Sequence, residues 1–90
     1  MQRSDAETLA LKGLSWLAGD PETLLRFLDV SGLEPDDLKG RAGDPELLAA
    51  VMDFLLADDA LLTAFCAGEG IEPALARKAR MLLPGGVHEG

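Results

Sequence analysis

Few side chains in this sequence are spaced for reaction. Lys12 and Ser15 stand three apart, which on a helix puts them on one face. They are the nearest approach to a nucleophile beside a base, in a pairing common to many helices. Asp36-Asp37 and Asp58-Asp59 are adjacent carboxylates. Neighbours on a helix diverge, so such pairs suit a helix N-terminus better than a metal ion. The single cysteine, Cys66, follows Phe65 and lies one turn beyond Leu61 and Leu62, with no histidine near it in sequence. It reads as a small buried hydrophobe, not a reactive thiol. The single histidine, His88, sits in the C-terminal Pro-Gly-Gly-Val-His-Glu-Gly segment and reads as a solvated tail residue. No His-x-x-x-His, Cys-x-x-Cys or calcium-loop pattern occurs, and the glycine pairs lack the strand that a phosphate loop requires. We expect no catalytic site, no metal and no cofactor.

The one basic cluster is Arg77, Lys78 and Arg80. Cations there complement the C-terminal dipole of a helix, and they could also meet an acidic partner. Lys12, Ser15, Asp36, Asp37, Arg77 and Arg80 are therefore the candidate partner-binding residues. Leu28, Gly32 and Leu38 follow the spacing of a helix-turn-helix. In a DNA reader the second helix would put its first residues against base edges, and those residues are Asp36 and Asp37. Two carboxylates facing phosphates, with only Lys39 and Arg41 to offset them, weigh against nucleic acid.

The elements that hold these residues are unusually plain. Gly32-Leu33-Glu34-Pro35 returns as Gly70-Ile71-Glu72-Pro73, 38 residues later. At that offset Trp16–Ala42 pairs with Phe54–Arg80, and seven of 27 pairs are identical, against roughly three expected by chance. Each glycine can take the left-handed conformation that ends a helix, and each proline suits the first position of the next. Asp20-Pro21-Glu22 and Asp44-Pro45-Glu46 each supply an N-cap, a proline and a first-turn acid. Ser4 or Asp5 is expected to cap the first helix. The signals predict six helices, at about 5–18, 21–31, 35–41, 45–57, 59–68 and 73–83, with a frayed tail over 84–90. In the first, polar residues fall on one stripe, Thr8, Lys12 and Ser15. The same stripe recurs in the fourth as Glu46, Ala50 and Asp53. Helices so narrowly wetted belong at the centre. Leu24, Leu25, Leu28, Leu38, Leu61, Leu62, Phe65, Leu75, Ala79 and Leu82 are expected to turn inward around them. Gly13 inside a helix predicts a close crossing, because glycine there costs about 1 kcal/mol relative to alanine.

Composition agrees. Eighteen residues are Leu, while Val, Ile and Thr together number seven, a balance favouring helix over strand. Ninety residues make one domain. The net charge of −8 is uneven, with 15 carboxylates against five cations over residues 1–72. Such a surface repels polyphosphates over most of its extent. No apolar run is long enough to span a membrane and the N-terminus lacks a signal-peptide pattern, so the cytosol is the expected compartment.

The stretch Ala6–Leu17, with Phe27-Leu28, Gly32-Leu33, Ala42-Gly43-Asp44, Asp53-Phe54-Leu55-Leu56 and Phe65-Cys66, resembles a small bacterial family known as domain of unknown function 3572. The likeness covers about residues 6–84 and implies a stand-alone cytosolic protein of this length. It brings no activity, cofactor or catalytic residue with it. The sequence thus reads as an all-α, compact orthogonal bundle of six short helices, a degenerate tandem of two three-helix units. Its expected role is non-enzymatic, binding an unidentified protein partner or forming a homodimer. The alternatives are a helix-turn-helix-like nucleic-acid-associated regulator and an acidic decoy for a basic groove.

Overall fold

A computed structural model describes residues 1–84. The tail expected over 84–90, with His88, lies outside the described residues except for Pro84. Six helices follow one another with short links: α1 (Arg3–Ala18), α2 (Pro21–Ser31), α3 (Pro35–Gly40), α4 (Pro45–Leu56), α5 (Asp59–Glu69) and α6 (Pro73–Met81). No strand occurs among the described residues.

The starts and stops obey local chemistry, with two corrections. Asp44 accepts from the Glu46 N–H, and Asp58 from the Ala60 and Leu61 N–H groups, so both act as caps. Asp20 holds the N-cap position of α2, but its carboxylate takes the Thr23 hydroxyl at 2.6 Å instead of a backbone donor. Thr23 is buried, and this bond satisfies the one polar side chain inside the core. The N-cap of α1 is Gln2, not Ser4 or Asp5; Asp5 sits in the first turn and accepts the Gln2 N–H at 2.9 Å. Gly32 and Gly70 have φ of 76° and 69° and end α2 and α5 in the left-handed conformation.

α1 and α4 form the centre and share the largest helix interface. Their inward faces carry Leu9, Leu14 and Leu17 against Leu48, Val51, Met52 and Leu55, all in one buried cluster. Gly13 is where side chains of α4 press against the backbone of α1. A methyl at Gly13 would lie 3.0 Å from Leu55 Cδ1 and 3.3 Å from Val51 Cγ1. Thr8, Lys12 and Ser15 are exposed as the stripe requires, though Leu11 joins them at 41% exposure. Two leucines expected inside are outside. Leu25 faces solvent on the side of α2 opposite Phe27, and Leu75 projects from the first turn of α6, where Ala76 and Ala79 make the buried contact instead.

At the 38-residue offset α2 and α5 are each 11 residues long and each ends at a left-handed glycine, while α1 has 16 residues and α4 has 12. The indole of Trp16 meets Phe65 edge to face at 5.8 Å and 65°, and Phe54 meets Phe27 at 5.4 Å and 65°. Each first-helix aromatic thus packs on the other pair's buried phenylalanine. The third helices differ: α6 packs on both α1 and α4, whereas α3 buries none of its residues.

Candidate functional site

The six candidate residues from the sequence lie on three helices. Lys12 and Ser15 are exposed on α1, and Lys12 borders a shallow hollow shared with Met1, Asp5, Ile71 and Leu75. Asp36 and Asp37 open α3. Asp37 accepts the Glu34 N–H at 2.9 Å and so works for its own helix. Arg77 is exposed on α6. Arg80 is committed to the fold: its guanidinium grips both carboxylate oxygens of Asp53 at 2.6 and 3.1 Å and donates to the Pro84 carbonyl at 3.0 Å. Only 13% of its side chain is exposed, so it fastens α6 to α4 and is not free for a partner.

The helix-turn-helix reading gains nothing from the geometry. α3 has six residues, none of them fully buried, and it meets the core through the half-buried Leu38. Cys66 is buried as expected, and burial pushes its thiol above the usual range against the opposing field of Arg77. Among the described residues, no group of three His, Cys, Asp or Glu side chains is gathered as metal ligands. No helix among them is long and apolar enough to cross a membrane.

Another concavity lies between α2 and α4 at the corner where α5 begins. It encloses about 520 Å³ and is lined by Arg26, Phe27, Val30, Ala50, Phe54 and Ala57, with Ser31, Asp53 and Asp58 at its edges. Helical periodicity builds it. Arg26 and Val30 are one turn apart on α2, and Ala50 and Phe54 form one stripe of α4 that continues to its C-cap Ala57. Phe27 is wholly buried beneath, and Phe54 stands against it and forms a wall. Val30 is 74% exposed on the rim, the most exposed large apolar side chain of the described residues. Arg26 reaches across with its guanidinium 5.9 Å from the Phe54 ring centre and 3.4 Å from Asp58. Backbone donors from Leu61 and Ala60, together with Arg26, hold the Asp58 carboxyl below its ordinary range.

The Ser31 hydroxyl of this groove donates to the Leu28 carbonyl and accepts the Leu33 N–H, and its carboxylates Asp53 and Asp58 pair with Arg80 and Arg26. Its floor is apolar and its edge charged, an arrangement that can accept an apolar side chain and orient it. Sequence reasoning missed it. The signal was present at the 38-residue offset: Phe54 stands where the other pair has Trp16, and Val30 where it has Gly68.

Residues 3–86 match the family described as Protein of unknown function (DUF3572), and the chain belongs to it. No curated protein and no solved structure matches the chain.

Proposed function

We propose that this member of the family is a non-enzymatic, cytosolic binding protein that recognises another protein through the groove between α2 and α4. One observation carries the reading. An open apolar groove with an aromatic floor is overlooked by a valine held 74% in solvent. Isolated exposed apolar residues are ordinary, but one on the rim of a hydrophobic groove is the usual setting of an interface contact. The charged edge supports the same reading, since interfaces commonly set a polar rim around an apolar centre.

Affinity capture from the native cell with quantitative mass spectrometry tests it, using the wild type, Val30→Glu and Leu25→Glu. Both substitutions fall on exposed helix positions and should change stability by no more than about 0.5 kcal/mol. Proteins retained by the wild type should be lost with Val30→Glu and kept with Leu25→Glu. An unchanged set with Val30→Glu, in a protein of unchanged circular dichroism, removes the groove from the account.

A further inference from the structure

We infer that the groove's occupant is a basic amphipathic helix that seats one bulky aromatic side chain between α2 and α4. The inference rests on the groove being a binding face and adds the chemistry of what binds there.

Shape supplies the first argument. The groove runs along two helices, walled by side chains one turn apart on each, and a third helix laid against such a pair inserts its own ridge of side chains. Charge supplies the second. α2, α4 and the opening of α5 carry Glu22, Asp29, Glu46, Asp53, Asp58 and Asp59 against one cation, Arg26. Arg80 from α6 offsets Asp53 as Arg26 offsets Asp58, so six carboxylates against two cations leave these elements at net −4. A cationic helix is attracted to this face, and an acidic one is repelled. A second copy of the chain is disfavoured on the same ground, because it too carries a net charge of −8.

The other helix pair supplies the third argument, on the size of the anchor. There the indole of Trp16 packs against Phe65 and lies beside Gly68, its Nε1 3.7 Å from where a methyl on that glycine would be. On the α2–α4 side the corresponding ring is the smaller phenyl of Phe54, and the groove opens beside it. The space suits a ring supplied from outside, and aromatic residues are the commonest anchors of protein interfaces.

The test titrates the ¹⁵N-labelled full chain with three synthetic peptides of about 18 residues, long enough for a helix of some 27 Å. One is a lysine- and arginine-rich amphipathic helix with a tryptophan on its apolar stripe. The second has the same stripe with acidic residues replacing the basic ones, and the third has the basic composition with the stripe scrambled. The amphipathic basic peptide should shift the amides of Arg26, Val30, Phe54 and Ala57 and bind at least about tenfold more tightly than either control. Ala57→Trp, which fills the groove from within, should weaken it by a similar factor. Equal binding of the acidic or scrambled peptide, shifts centred elsewhere, indifference to Ala57→Trp, or no shift at millimolar peptide would each overturn the inference. If Val30→Glu loses its captured partners while the basic peptide fails, the chemistry assigned to the occupant falls and the groove's role stands. If both fail, the groove goes too.

Discussion

The two helix–glycine–helix corners begin alike and end differently. α2 and α5 both stop at a left-handed glycine, and the Gly32 N–H bonds the Leu28 carbonyl as the Gly70 N–H bonds that of Cys66. One residue later they part. The Leu33 N–H turns to the Ser31 hydroxyl at 3.3 Å, whereas the Ile71 N–H closes back on the Cys66 carbonyl at 2.9 Å. The helices that follow have unlike faces as well. α6 offers Ala76 and Ala79, both wholly buried, and small side chains let it settle against α1 and α4 together. At the same positions stand Leu38, larger, and Arg41, charged and already the C-cap of α3, which ends at Gly40 after six residues. Like turns do not ensure like packing; the residues one or two turns beyond decide whether the next helix is drawn in. The same comparison locates the groove, because the aromatic pair that Trp16 completes on one side is left smaller and open on the other.

The equivalence of the helix pairs faces its hardest test in Phe27→Ala and Phe65→Ala. Both rings are buried, and each truncation should cost about 3–5 kcal/mol in urea denaturation, enough to unfold much of a domain this size. Effects differing by more than about 2 kcal/mol would break the match between the two pairs. An exchange at the third helices sharpens the contrast. Ala76→Leu gives α6 the residue of α3 and should destabilise by about 1–3 kcal/mol through overpacking. Leu38→Ala gives α3 the residue of α6 at a half-buried site and should cost less than about 1 kcal/mol. Equal costs would mean that α3 is as firmly seated as α6.

The smallest effect concerns acid. The Asp58 carboxyl is held below its ordinary value in the folded chain by the Leu61 and Ala60 N–H groups and by Arg26. A depressed folded value means that the carboxylate's contribution is fully present above the unfolded value, near about 4. It is lost as pH falls through the lower folded value. Asp58→Asn should therefore leave a thermal melting curve less dependent on pH between 5 and 2 than the wild type's. A slope as steep as the wild type's would show that the cap does not act through its charge. Asp20, the corresponding residue, spends its carboxylate on the Thr23 hydroxyl instead.

Much of the fold was legible because its signals are local. Asp-Pro-Glu starts and Gly-x-Glu-Pro corners depend on a few adjacent residues, and six helices lie within about three residues of their expected ends. Gly13 announced a close crossing because a glycine inside a helix is costly without one. Leu25 and Leu75 were misplaced because leucine on a short helix can face either way, and only packing elsewhere decides it. The groove was harder to read. It depends on the space beside Phe54, which the chain marks only through two differences at the 38-residue offset, Phe54 for Trp16 and Val30 for Gly68. Arg80 was legible as a cation but not as a fastener, since Asp53 lies 27 residues away in sequence.

The most direct test of the α2–α4 face compares equivalent positions on the two sides. A photoreactive amino acid is placed at Val30 in one variant and at Gly68 in another, each irradiated in the native cell. The account predicts a covalent adduct with a second protein from position 30 and little or none from position 68, which lies outside the groove beside the Trp16 indole. Equal adducts from both, or adducts from position 68 alone, would contradict it.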